Sequence, residues 1–321
     1  MRKLITKVSL AIAGFSGVLM AQQDPQFTQF FNNKLMYNAG YAGVSGNICG
    51  VIHYRQQWSS FPGAPKSFAL TADMKIPEMP LGVGLNVMND QIGPMKTLFL
   101  RIPVAYHLKL AGGVLGLGLD LGMLQKQISN EWITPDIDAV DIHIPGAYEY
   151  GNNPDLNKTT YDVGFGAYFQ VPGQFYVGLS STHLPAQVLS SSSDIQFKMT
   201  RHYYLMGGYE YALDPRNSIV ANVMVRSDVN ATIFDINGLY KWNNNLLAGA
   251  TYRLGDAVAP MIGWQQAIPG RPFTVKGMYS YDVTLSKIRG YSKGTHELTI
   301  GVCYIPKVKK MTAHGEERFL N

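Results

Sequence analysis

The chain has 321 residues, with only 15 % charged residues but 19 Tyr, 14 Phe and 33 Gly, which argues against a disordered chain, a helical repeat or a coiled coil. Two cysteines are too few for a disulfide scaffold or a four-thiolate zinc site. Of the 27 basic residues, Arg2, Lys3 and Lys7 lie at the extreme N-terminus; the other 24 face 22 acidic residues, a charge of about +2 that does not suit nucleic-acid binding.

Those three basic residues precede an uncharged apolar stretch, Val8 to Met20, and the small residue Ala21. The pattern predicts a secretory signal over 1–21, with Gln22 first after cleavage. The competing reading, an N-terminal membrane anchor, is disfavoured because the stretch is shorter than the ~20 residues of a helical span. Beyond residue 21 no apolar run of ~18 residues occurs, so membrane crossing would have to use strands. Residues 22–46 do not alternate cleanly and read as a periplasmic arm or as a plug in a barrel lumen.

From residue 47 onward, apolar and polar or small residues alternate with period two. In 114–123, Leu115, Leu117, Leu119, Leu121 and Met123 oppose Gly116, Gly118, Asp120 and Gly122. In 232–242, Phe234, Ile236, Gly238, Tyr240 and Trp242 oppose Asp235, Asn237 and Lys241. Side chains on a strand alternate between faces, so each segment has one apolar face. The pattern predicts strands near 47–58, 65–76, 81–90, 96–109, 112–124, 160–171, 173–183, 200–213, 217–227, 232–242, 245–254, 257–266, 273–283 and 294–305. Short connections rich in Pro, Gly, Asn and Asp alternate along the chain with a second set that includes the long ones, 125–159, 184–199 and 284–293. Such sorting predicts an all-β fold: a transmembrane antiparallel up-and-down barrel of about 14 strands over 47–305.

Trp58, Trp242 and Trp264 fall at or near strand ends, where interfacial aromatics belong. The polar faces collect Arg55, Arg101, Arg226, Arg253, Lys241 and Lys276 against Asp73, Asp120, Asp162, Glu210, Asp235, Asp282 and Glu297, charges that a barrel hides from lipid. An even strand number places both termini, including a tail over 306–321, in the periplasm.

HExxH, CxxC, P-loop and GxSxG motifs are all lacking from the sequence. The glycines at dyad spacing, such as Gly116 and Gly118, suit bending or close approach of another chain segment. His53, His107 and His202 are read as structural groups facing a polar lumen. In the longest connection, Asp136, Asp138 and Asp141 are weak calcium candidates, with a solvated acidic loop the favoured reading. Cys49, near the start of the first strand, and Cys303, near the end of the last, share inward parity at the closing seam. They form either a disulfide or two small buried thiols, and register decides.

Three stretches carry a resemblance. Gln23-Asp24-Pro25-Gln26-Phe27-Thr28-Gln29-Phe30 leads to Asn38-Ala39-Gly40-Tyr41-Ala42-Gly43; Tyr54-Arg55-Gln56-Gln57-Trp58 precedes Gly63-Ala64-Pro65-Lys66-Ser67-Phe68 and Asp73; Gly82-Val83-Gly84-Leu85-Asn86 runs to Asn89-Asp90-Gln91-Ile92-Gly93. Together they resemble the PorP/SprF family of type IX secretion outer-membrane proteins, with Asn38-Ala39-Gly40 standing where the family usually has Asn-Pro-Ala. The resemblance implies a non-enzymatic protein without cofactor. Its implied partners are the periplasmic ring of the secretion machine, the C-terminal domains of secreted or surface adhesins such as those used in gliding, and outer-membrane lipid. A diffusion channel or small-molecule transporter is the alternative, and a soluble exported β-protein the third reading. In the leading reading Phe27, Phe30, Phe31, Tyr37 and Tyr41, with Lys307, Lys309 and Lys310 of the tail, supply the surface for the ring. The same aromatics would serve a plug equally well. The long connections, led by 125–159, are expected to contact cargo.

Overall fold

The structure is a computed structural model that describes residues 24–128, 156–190 and 196–306. Its strands are β1 (Ile48–Gln56), β2 (Lys66–Lys75), β3 (Leu81–Ile92), β4 (Met95–Leu110), β5 (Gly113–Ile128), β6 (Leu156–Val171), β7 (Phe175–Thr182), β8 (Val188–Ser190), β9 (Gln196–Lys198), β10 (His202–Ala212), β11 (Ser218–Ser227), β12 (Thr232–Trp242), β13 (Leu246–Arg253), β14 (Ala257–Ala267), β15 (Phe273–Thr284) and β16 (Thr295–Tyr304). Among the described residues, fourteen strands close an antiparallel barrel in which β16 pairs with β1, and β8 and β9 form a separate two-stranded sheet.

Alternation explains which side chain faces which way. Ile102, Val104, Leu119, Leu121, Leu179, Ile236 and Ile262 are exposed on the outside, while Arg55, Arg101, Asp120, Asp162, Asp235, Arg253 and Glu297 are buried within. An outer surface this apolar would be an aggregation liability in water and is the natural face of a barrel in lipid. Two proline positions interrupt the hydrogen-bond ladders. The β3–β4 register breaks opposite Pro103 and the β14–β15 register breaks at Pro260, as expected of a residue with no backbone N–H.

Every connection at the rim where β1 begins is short, while the long connections lie at the other rim, together with three short ones, 93–94, 228–231 and 254–256. Exposed Tyr106, Tyr209, Tyr211, Tyr240, Trp242 and Trp264 lie toward the short-turn rim; Tyr54, Tyr161, Tyr203, Tyr252 and Tyr279 lie toward the long-connection rim. These are the two interfacial girdles of a membrane barrel.

At the seam, Cys49 is the direct cross-strand partner of Cys303, with the Cα atoms 4.1 Å apart and the two sulfurs joined as a disulfide. The bridge joins residues 254 apart in sequence, and in the loop-entropy picture such a link contributes up to about 5 kcal/mol. Digestion without reduction is expected to yield one linked peptide pair containing Cys49 and Cys303. Recovery of two alkylatable thiols from membrane-extracted protein would contradict it.

Residues 24–46 run through the lumen. They form three short 3-10 turns, Phe30–Asn32, Lys34–Met36 and Ala39–Tyr41, and connect to β1 at the short-turn rim. Asp24 lies at the opposite rim, beside His183 just after β7 and His202 at the start of β10. The described ends of the chain therefore lie at opposite rims. The strand count fixes where β1 starts and β16 ends, and the segment before β1 runs back through the barrel; the termini themselves, expected on one side, lie outside the described residues.

Candidate functional site

A segment without regular strands or long helices must place its backbone polar groups somewhere. Here the wall supplies the partners. Glu297 of β16 accepts the backbone N–H of Thr28 through Oε2 and that of Gln29 through Oε1, both at 2.8 Å. The Gln29 side chain donates to Ser280 Oγ at 2.9 Å. Farther along, Asn86 donates to the Leu35 carbonyl at 3.1 Å, Ser180 to the Tyr37 carbonyl at 2.7 Å, and the Gly43 N–H donates to Asp73 at 2.9 Å. The Asn38 side chain caps the last 3-10 turn by accepting from Gly40 N–H, and donates to the carbonyl of Ala167 on β6 at 3.0 Å.

The glycines of the dyad pattern make room for this path. A Cβ on Gly116 would stand 2.0 Å from the Gly40 oxygen, one on Gly118 2.3 Å from the Ala39 carbonyl carbon, and one on Gly82 2.0 Å from the Ala42 oxygen. Gly40 faces the same limit, with its Cβ position 2.5 Å from the Gly116 oxygen. Backbone meets backbone at these points, so a side chain could not be accommodated by a change of rotamer.

Around Thr28 the lumen charges form one network. Arg55 donates through Nη1 to Glu297 at 2.7 Å and to Thr28 Oγ1 at 2.9 Å, and through Nη2 to Asp282 at 2.9 Å. The Thr28 hydroxyl donates to Asp282 at 2.8 Å. Arg253 is 3.6 Å from Asp282 and donates through Nε to Asp235 at 2.9 Å; Asp235 also accepts from Arg226. These groups come from β1, β11, β12, β13, β15 and β16; Thr28 bonds directly to four of these strands, β1, β13, β15 and β16, and Arg253 carries the network on to β12 and β11. Pairing of this kind allows charges to be buried that would be costly alone.

Apolar contacts complete the anchoring. Phe27, Phe30, Met36 and Tyr37 are buried in one cluster with Tyr168, Tyr176, Tyr204, Met206 and Met224 of the wall, and Phe31 and Tyr41 pack against it. Phe27 meets His53 edge-on with ring centres 5.2 Å apart, and Lys34 Nζ stands 3.6 Å over the Tyr176 ring. The arm leaves cavities of about 190 and 290 Å³ around Lys34 and Lys276, and one of about 110 Å³ at the long-connection rim, lined by Asp24, Asp90, Lys126, His183 and His202.

At that rim, burial raises the pKa of Asp24, but His183 and His202 more than offset it and hold the carboxyl well below its ordinary value. Burial lowers that of His183, but Asp24 and Asp162 outweigh it and push the imidazole up to about 9.

The five aromatics expected to offer a docking surface thus lie within the lumen. Lys307, Lys309 and Lys310, and the calcium candidates Asp136, Asp138 and Asp141, lie outside the described residues. Sequence reading singled out the Phe27-Thr28-Gln29-Phe30 stretch and the lumen charges separately, but not their junction at Thr28. It missed Asp24, Asp90, Lys126 and His183 as groups meeting at one rim, since their signal is spatial. Alternation through β7 up to Thr182 was the available clue that the next residue, His183, sits at the rim.

A family model described as "Type IX secretion system membrane protein PorP/SprF" matches residues 19–302. The chain belongs to the PorP/SprF family. Comparison with curated proteins yields no match. Among solved structures, this PorP/SprF chain is similar to the CymD monoaromatic hydrocarbon channel, at a TM-score of 0.52 and 12 % identity over 92 % of this chain and 96 % of that one. It also matches a Pseudomonas aeruginosa FadL homologue at 0.46 and 10 % identity, over 80 % and 89 % of the respective chains. At such identities the likeness concerns the fold, an outer-membrane barrel.

Proposed function

We propose that this protein is a non-enzymatic outer-membrane component of the type IX secretion system. It docks the periplasmic ring at its short-turn rim, and binds or anchors secreted and surface proteins, gliding adhesins among them, at its long-connection rim. Membership of the PorP/SprF family carries the reading. The buried arm supports it over the diffusion-channel alternative, because an arm bonded to opposite walls occupies the middle of the lumen that a solute would need.

With the arm's aromatics buried, ring docking falls to the rim itself and to the tail after β16. Arg216 and Arg271 are exposed in short turns and suit photocrosslinkers. Crosslinkers at both positions are expected to capture a ring protein of the secretion system, identified by mass spectrometry. Capture from a crosslinker at Tyr291, exposed at the other rim, but from neither turn would overturn the assignment of rims.

A further inference from the structure

We infer that Asp24, His183 and His202 form a binding site for a divalent transition-metal ion such as Zn²⁺ at the long-connection mouth of the barrel. One donor atom from each residue lies within 4.8 Å of those of the other two, and Asp24 Oδ1 is 3.0 Å from His183 Nε2. Two imidazoles and one carboxylate match the preference of zinc and its neighbours rather than the all-oxygen sets of calcium or magnesium.

The surroundings orient each ligand. His183 Nδ1 faces Asp162 Oδ1 at 3.1 Å, and His202 Nδ1 faces the Thr200 carbonyl at 3.1 Å. Both Nδ1 positions thus meet acceptors, which holds a proton there and leaves Nε2 of each ring facing Asp24, where the ion would displace the proton that His183 Nε2 shares with the carboxylate. The Tyr204 hydroxyl donates to Asp24 Oδ2 at 3.0 Å and fixes the carboxylate. Each ligand is thus held by a partner on its far side, as metal ligands commonly are; His202 Nε2 also accepts the Asp24 backbone N–H at 3.3 Å, a contact that the ion would replace.

Charge points the same way. Asp24, Asp120 and Asp162 surround a single guanidinium, Arg101, whose Nε is 2.9 Å from Asp162. Asp120 Oδ1 is buried and has no hydrogen-bond partner. With neutral histidines the group carries two surplus negative charges, which one dication cancels. Arg101 Nη2 lies 3.3 Å from His183 Nε2 and competes for that nitrogen. Ion binding therefore requires the guanidinium to turn away, and Asp120 is the acceptor lacking a partner. The adjoining cavity of about 110 Å³ gives water access to the ion's remaining position. A bound ion would tie the start of the arm to the ends of β7 and β10, closing the mouth with a metal clip.

The mature full-length protein, purified in detergent and stripped with chelator, is to be loaded with Zn²⁺, desalted and analysed for metal by mass spectrometry. Parallel loading with Co²⁺ reports coordination through its visible absorption. The expected result is one Zn²⁺ per chain and cobalt bands of a four- or five-coordinate site. His202→Ala and Asp24→Asn are each expected to weaken retention by about tenfold or more, a loss at least comparable to that from removing a ligand's outer partner. Asp90→Asn, across the cavity, should retain the ion. Heat-modifiable gel mobility checks that each variant still forms a barrel. Failure of the unmodified protein to hold near-stoichiometric Zn²⁺, or retention undiminished in both folded ligand variants, would overturn the site; the unmodified protein's cobalt spectrum decides the matter even if the variants do not fold.

Discussion

Gly118→Val is expected to displace the arm from the lumen and turn a barrel without large stable conductance into one that conducts in planar bilayers. The Cβ alone would come within 2.3 Å of the Ala39 carbonyl carbon and 2.4 Å of the Gly40 nitrogen, distances that side chains do not reach in folded proteins. Relief must come from movement of backbone. The β5 wall is bonded on both sides, to β4 and to β6, whereas the arm is held mainly by side-chain contacts. The arm is therefore the part that yields, and it yields near its junction with β1, where the lumen opens at the short-turn rim. Gly238→Val, on the outward face of β12 where nothing lies within 4 Å of the Cβ position, is the control for a valine that leaves the lumen untouched. The check is single-channel recording of the unmodified protein and both variants. Equal silence from Gly118→Val and its control, in correctly inserted protein, would mean that the arm does not govern the lumen.

The second large effect is expected at Arg55. It is 2 % exposed and bonds two carboxylates and the arm at once. Arg55→Ala leaves Glu297 and Asp282 buried with one fewer cation, although Arg253 remains 3.6 Å from Asp282 and two arm N–H groups remain on Glu297. Breaking a buried pair from one side costs about 3–5 kcal/mol. The barrel is expected to unfold at markedly lower urea and to show faster proteolysis of the arm. Arg55→Lys should recover part of the loss, since an ammonium retains the charge but lacks the planar fork that spans both carboxylates. A variant as stable as the original would show that the network is not what holds Thr28.

The barrel was legible because lipid outside and polar groups inside impose period two on every strand. Alternation over 232–242 gives the bounds of β12, and counting gives the seam parity of Cys49 and Cys303. Bounds slipped where the strand leaves the membrane. β5 continues to Ile128 and β6 begins at Leu156, both into the connection read as 125–159. There the outward face meets water, so polar Gln125 and Gln127 no longer break a pattern. The small β8–β9 pair inside 184–199 has three residues per strand, too few to show alternation.

The arm was legible only as a choice between two places. Its conformation is set by Glu297, Asp73, Asn86 and Ser180, which are distant in sequence, and by glycines of β3, β5 and β6. Local periodicity carries no such information. The same distance hid the meeting of Asp24 with His183, 159 residues away.

The central claim, that this barrel works as a docked part of the secretion machine, is tested most directly by affinity purification from gently solubilised membranes with protein identification by mass spectrometry. A ring protein of the type IX system, together with a secreted or adhesin C-terminal domain, is the result the account predicts. A barrel recovered free of any ring protein, under conditions in which the ring itself stays assembled, would contradict it.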